Sequence, residues 1–260
     1  MRLGYSPVTA AMLDLDAAYR LAVELELEFV ELSYDLFEAV PQLQSQQQVR
    51  ELRDATGIGS TLHLSFVDLN LASVAPAARR SAVERTLKGL EYAEAVGSSC
   101  GVLHTGRNLI PYPQAAQLAE LALEKSLSEL SGANVPIALE NLALDPGDLI
   151  KGPKELQALT ERHDMSNCLD FGHAHVEGER KGQRLIGSYL EKMGERLIHL
   201  HIHNNYGVND EHLPTSQGTL LYEGVLQQLT GFGGTACLEI AGGEEAVREA
   251  VAHFRGLVAA

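Results

Sequence analysis

Short apolar runs alternate with longer amphipathic stretches along the whole chain. Eight runs stand out, at about 2–6, 28–33, 58–65, 100–105, 134–140, 166–171, 196–203 and 234–240. Each has the length of a buried strand rather than a helix. Seven precede helix-like segments, and the last leads into 244–258, which supplies the eighth helix. Pro76 opens one such segment, Val83, Leu87 and Leu90 recur at i, i+4 and i+7, and Gly97 closes it. Leu123, Leu127 and Leu130 repeat the spacing before Gly132. Strand–helix alternation predicts a parallel sheet. Eight units make about 32 residues each, the size of one βα unit with its loops. A doubly wound sheet is the rival, but it usually has fewer strands. The glycine-rich phosphate fingerprint expected after its first strand is also missing. No linker, low-complexity segment or boundary interrupts the pattern. The expected fold is therefore α/β, a single (β/α)8 TIM barrel, with residues 1–260 as one domain.

The polar residues inside these runs change the picture. His63, His104, Glu140, Asp170, His201 and Glu239 fall at or near the ends of runs three to eight. Side chains along a strand alternate between two faces. Leu62, Leu64, Leu103, Leu139, Leu169 and Leu238 hold the opposite parity to these polar residues. In run seven, Ile198, Leu200 and Ile202 form one set, suited to packing on helices, and His199, His201 and His203 form the other. The polar set thus points into the barrel, and the C-terminal strand ends converge on its mouth, where active sites of this fold lie. Glu140, Asp170 and Glu239, with Glu31 near them, would share one partly desolvated cavity. Carboxylates that close cannot all stay ionised without a compensating cation. Mixed carboxylate and imidazole ligation suits a divalent metal, Mn²⁺ or Zn²⁺ foremost, with Co²⁺ and Fe²⁺ also admitted.

Composition narrows the partners. Thirty-five Asp and Glu against twenty Lys and Arg give a formal charge of −15, which disfavours a cationic nucleic-acid binder. No run of about 18 apolar residues is present, so no membrane-spanning helix is expected. The first residues, Met1 to Ser6, lack a signal-peptide apolar region, so a cytoplasmic location is expected. Cys100, Cys168 and Cys237 are odd in number and far apart, and read as reduced core thiols.

Seven segments, in order, carry a resemblance: Leu62-His63-Leu64-Ser65, Leu103-His104-Thr105-Gly106, Leu139-Glu140-Asn141, Leu169-Asp170-Phe171-Gly172-His173, His199 to Asn205, Asp210 to Pro214, and Leu238-Glu239-Ile240. Together they resemble the xylose isomerase-like barrel superfamily, which contains sugar-phosphate isomerases and epimerases, ketose 3-epimerases, inosose-processing enzymes and endonuclease IV. The resemblance implies that Glu140, Asp170, His201 and Glu239 bind a divalent metal. It implies that Glu140 and Glu239 exchange a proton with a metal-chelated enediolate, and that His173 helps to hold substrate oxygens. The activity implied is isomerisation or epimerisation of a small sugar or sugar phosphate, with neither nucleic acid nor membrane as partner. His63, His104, His173, Asp210 and His212 also match the three-zinc site of endonuclease IV, which keeps a zinc-dependent abasic-site endonuclease as the alternative. Asn204 departs from an Asp common near that position. A non-catalytic barrel retaining a metal is disfavoured by the paired glutamates.

Several residues keep two readings. His63 and His104 serve a second metal or hydrogen bonding around substrate. Asp210 and His212 serve a third metal, order a loop or contact substrate. Glu31 binds a substrate hydroxyl or an interior partner. His175 and His203 read as supporting or mouth-lining residues, His199 as a satisfied core histidine, and His163 and His253 as solvated. Arg107, Lys151, Lys154, Arg180, Lys181 and Arg184 read as solvated helix starts, the alternative being a phosphate-recognising rim.

Overall fold

In the computed structural model, which describes residues 1–110, 112–142, 145 and 147–259, the eight runs are eight parallel strands. They are β1 (Arg2–Tyr5), β2 (Phe29–Ser33), β3 (Gly59–His63), β4 (Gly101–Leu103), β5 (Ile137–Glu140), β6 (Ser166–Asp170), β7 (Leu197–Ile202) and β8 (Thr235–Leu238). The strands pair in chain order and close into a barrel, with β1 against β8 in the register Arg2↔Thr235 to Tyr5↔Leu238. Strand–helix units that each return on the same side produce this order, and closure removes both sheet edges.

The helices are α1 (Leu15–Glu24), α2 (Tyr34–Ala39), α3 (Gln46–Thr56), α4 (Pro76–Val96), α5 (Pro113–Leu130), α6 (Pro153–His163), α7 (Phe171–Lys181), α8 (Ile186–Met193), α9 (Glu223–Leu226) and α10 (Gly243–Ala259). Proline stands at the start of α4, α5 and α6, where its missing N–H costs nothing. Gly97 ends α4 at φ +75°, as the expected boundary requires.

The expected parity is present. Leu62, Leu103, Leu139, Leu169 and Leu238 are fully buried in the layer between strands and helices. Ile198 is the exception. The β6–β7 register slips between Asn167 and Cys168, and Ile198 packs half-buried against the inner cluster of Val102, Ala138 and Cys168. A bulge breaks the two-residue period at the point where it occurs. The three cysteines are free and buried. Among the described residues no helix is long and apolar enough to cross a membrane.

Candidate metal centre

The strand ends deliver the polar residues to one place. Glu140 ends β5, Asp170 ends β6, His63 ends β3, and His104 and Glu239 sit one residue beyond β4 and β8. His201 lies inside β7 and is fully buried. Its Nδ1 stands 3.3 Å from Glu239 Oε2, 3.4 Å from Glu140 Oε1 and 3.7 Å from Asp170 Oδ2. Three carboxylates from three strands therefore surround one imidazole nitrogen. That nitrogen has no aligned hydrogen bond, although a buried polar atom ordinarily has one.

Two further groups adjoin this one. His63, His104 and Glu140 form the first, with His104 Nε2 3.0 Å and His63 Nε2 3.7 Å from Glu140 Oε2. On the other side, His173 Nε2 and His212 Nε2 stand 3.2 and 3.0 Å from Asp210 Oδ2. Asp210 and His212 come from the long loop after β7. That loop is tied down by mutual backbone bonds between Asn204 and Leu213, and by Ala241 N–H donating to His212 C=O. His212 holds φ +51°, an unusual conformation for a side-chain-bearing residue, and such strain gathers at functional sites.

Three imidazoles share one anchoring device. His63 Nδ1 donates to Leu64 C=O, His173 Nδ1 to Asn141 C=O and His212 Nδ1 to Glu239 C=O, each at 2.9 Å. A carbonyl can only accept, so Nδ1 carries a proton, and Nε2 is the nitrogen turned to the cavity, able to bind a cation once it has given up any proton of its own. This is the tautomer a metal-binding histidine takes when its other nitrogen is held.

The electrostatics are those of a crowded ionic cluster. Burial alone would raise the Glu140 carboxyl, but the imidazoles of His104 and His201 reverse that and hold it well below the usual range. Asp170 is likewise lowered against its burial by His173 and His203. Burial pulls His63 and His212 down, yet Glu140 pushes the first and Asp210 the second up to about 9. For His104 burial wins and its imidazole is lowered.

Above the cluster lies a cavity of about 740 Å³, lined by His63, His104, Glu140, His173, Asp210, His212 and Glu239 below, and by Val8, Leu36, Phe66 and Val67 higher up. Asp35 Oδ2 accepts the backbone N–H groups of Phe66 and Val67, fixing the loop after β3 over the mouth. Arg85 also lines the cavity, but its guanidinium is engaged by Glu38 Oε2 at 2.6 Å and Asp35 Oδ1 at 3.2 Å.

Of the nine residues expected to bind metal, seven line the mouth cavity, and the other two, Asp170 and His201, are fully buried against them. His203, expected to support or line the mouth, is fully buried with Nε2 3.1 Å from both Asp170 oxygens, the supporting position. Gly172 makes room, since a Cβ there would collide with the His203 ring. His203 shares parity with His201, which was the available signal. Glu31 takes the interior role and accepts from Thr61 Oγ1 at 2.9 Å. His199 is the expected core histidine, with Nδ1 2.6 Å from Thr235 Oγ1. His175 faces Thr219 in a separate cavity. His163 corrects the expectation of a solvated residue: it is buried, with Nε2 2.7 Å from Glu124 Oε2, because its helix face packs inward. His253 is half-buried and meets Thr215 Oγ1. Arg107, Lys151, Lys154, Arg180, Lys181 and Arg184 do not line the mouth cavity. Arg107 pairs with Asp145, Lys181 with Glu177, and Arg184 lines the separate cavity beside His175.

Comparison with known proteins agrees with this architecture. A family model described as xylose isomerase-like TIM barrel matches residues 19–257. An uncharacterized protein of Methanocaldococcus jannaschii is 30% identical over 201 residues, covering 73% of this chain and 67% of its own length. The solved structure of a D-tagatose 3-epimerase-like protein superposes with TM-score 0.82 at 23% identity, covering 100% of this chain and 98% of its own. Endonuclease IV from Thermus thermophilus superposes with TM-score 0.72 at 20% identity, covering 100% and 99%. With a match over nearly its whole length and a relative at that identity, the chain belongs to the xylose isomerase-like TIM barrel family.

Proposed function

We propose that this protein is a metal-dependent isomerase or epimerase acting on a small sugar or related polyol ketone, with Glu140 and Glu239 as its proton-transfer pair. One observation carries the reading: Glu140 and Glu239, from β5 and β8, bring carboxylate oxygens within 3.4 and 3.3 Å of the same His201 nitrogen. That nitrogen is buried and lacks an aligned partner, and with Asp170 the four residues offer the donor set of a divalent cation. When bound, such a cation would polarise a substrate carbonyl and its neighbouring hydroxyl and so acidify the C–H between them. The chain's own residues do the rest. One glutamate carboxylate takes the proton from that carbon and the other returns one, on the same or the opposite face. To His173, buried between Glu140 and Asp210, this reading assigns the holding of a substrate oxygen. Arg85, the one arginine or lysine lining the cavity among the described residues, is paired with Asp35 and Glu38, which favours an uncharged sugar over a phosphorylated one. The fold likeness to a D-tagatose 3-epimerase-like protein supports the same class. The test is a panel of ketoses, ketose phosphates and inososes incubated with metal in deuterated water. Deuterium entering at the carbon beside the carbonyl supports the reading, and no exchange with any compound refutes it.

A second reading, a phosphodiesterase of the endonuclease IV type, is favoured by the two flanking groups, His63–His104–Glu140 and His173–Asp210–His212. Their anchored imidazoles suit further cations as well as substrate hydroxyls. Incision of abasic-site duplex DNA at catalytic protein levels would put this reading first.

A further inference from the structure

Beneath the mouth, fully buried, a second polar cluster crosses the barrel interior. Glu31 projects from β2 toward β7 and does not line the cavity. Its Oε1 lies 3.1 Å from His201 Nε2, and its Oε2 lies 3.0 Å from His199 Nε2, ion-pair distances at which neither contact is aligned as a hydrogen bond. Thr61, its register partner on β3, donates to Oε2 at 2.9 Å. Beyond His199, Thr235 Oγ1 stands 2.6 Å from its Nδ1. A chain of contacts thus runs Thr235–His199–Glu31–His201, with no exposed member.

We infer that Glu31 is the positioning residue for His201: it holds the proton on Nε2 and thereby turns the Nδ1 lone pair toward Glu140, Asp170 and Glu239. The inference rests on the metal-centre reading above. A neutral imidazole carries one N–H and one lone pair. With the proton on Nε2, it faces a carboxylate, and the lone pair faces the three-carboxylate cluster. The reverse tautomer would set the Nε2 lone pair against a buried anionic oxygen, which a low-dielectric interior penalises.

The other imidazoles sharpen the argument. His63 ends β3, His173 lies in the first turn of α7 and His212 lies in a loop, and in each a backbone carbonyl reaches Nδ1 and leaves Nε2 facing the cavity. His201 lies inside β7, and its ring is inverted, with Nδ1 toward the mouth and Nε2 toward the floor. Neighbouring carbonyls are committed to the strand ladder, so an inverted ring needs a side-chain acceptor from across the barrel. Glu31 supplies one. Cys168 also neighbours His199 and His201, but its sulfur is a weak acceptor beside a carboxylate oxygen. A carboxylate behind a metal-bound imidazole raises the basicity of the ligand and fixes its ring. Losing such a partner costs about 10- to 100-fold in metal affinity.

The experiment compares the Zn²⁺-loaded native protein with Glu31→Gln, which keeps shape while removing the charge. Two quantities are read: Zn²⁺ affinity by competition with a chelator, and the imidazole ¹⁵N–¹H correlations. The native protein is expected to show His201 coordinated through Nδ1, with a slowly exchanging, downfield Nε2–H. Glu31→Gln is expected to lose that downfield position and about 10- to 100-fold in affinity. A purely structural role would lower thermal stability while leaving the affinity of the folded variant and the His201 resonances in place, and that result overturns the inference. Should the variant not fold, the native spectrum decides alone: coordination through Nε2, or a freely exchanging Nε2–H, overturns it. A native protein that takes up no Zn²⁺ sinks the metal centre itself, a failure distinct from a loaded centre that ignores Glu31.

Discussion

Asp170 Oδ1 accepts the backbone N–H of His173 at 2.6 Å, so the carboxylate that ends β6 also caps α7. Asn141 grips the same backbone, accepting Asp170 N–H at 2.8 Å and donating to its C=O at 2.9 Å. One residue thus faces the candidate centre with one oxygen and starts a helix with the other. Asp170→Asn keeps an oxygen for the cap and loses the charge, whereas Asp170→Ala loses both. Both variants are expected to weaken metal binding. The alanine variant should also be less stable than the asparagine variant by about 1 kcal/mol, the usual worth of a cap. Equal denaturation midpoints for the two, measured without metal, would rule out the capping role.

Removing metal with a strong chelator is expected to abolish turnover and lower the melting temperature. A ligand present at about 100 times its dissociation constant contributes about 2.7 kcal/mol to the folded state. Adding back Mn²⁺, Zn²⁺ or Co²⁺ should restore both properties. Recovery of neither, in thermal scans and exchange assays on the same sample, counts against a metal centre.

The metal-free protein has a definite pH signature. His63 and His212 stand at about 9 against an ordinary 6.5, so folding raises both. A group raised on folding stabilises most below its unfolded value, and that stabilisation is lost as pH rises through the folded value. The lowered carboxylates of Glu140 and Asp170 are ionised throughout this window and add no slope. The chelated protein should therefore lose melting temperature steadily between about pH 6.5 and 9. Metal must displace those protons, so its affinity should climb over the same range. A melting temperature that rises across the window in chelator would contradict the assignment.

Glu239→Gln preserves size and one oxygen but removes basicity. Turnover is expected to fall by at least about 100-fold, the range of a lost general base. Metal binding should weaken as well. Product formed by the native enzyme in deuterated water with its original hydrogen fully retained would indicate an intramolecular hydride shift instead of proton exchange.

Abasic-site duplex DNA is expected not to be retained at near-physiological salt. Gripping a bent duplex takes many cationic contacts to phosphate. Here the net charge is −15, and Arg107 and Lys181 are already paired with Asp145 and Glu177. Salt-sensitive binding with incision 5′ to the abasic site, measured on a labelled duplex, would reverse the ranking of the two activities.

The amino-acid pattern alone determined the eight βα units, the helix boundaries at Pro76 and Gly97, and the inward parity of His63, Glu140, Asp170 and His201. These are properties of the local chain: strand parity has period two, and proline and glycine act where they stand. The same local rule failed at Ile198, where the register slip lies between two strands and not within one. Tertiary structure alone decided which residues meet across the barrel. Glu31 reaches His201 because closure folds β2 over toward β7, and no spacing along the chain encodes that contact. Asp210 and His212 join the cluster through a loop whose path depends on bonds from Asn204 and Ala241. His203 enters because Gly172 leaves space for its ring, and His163 is buried because its helix packs as it does. Parity tells which way a side chain points, but only the packed barrel brings it within 3 to 4 Å of a partner from a distant part of the chain.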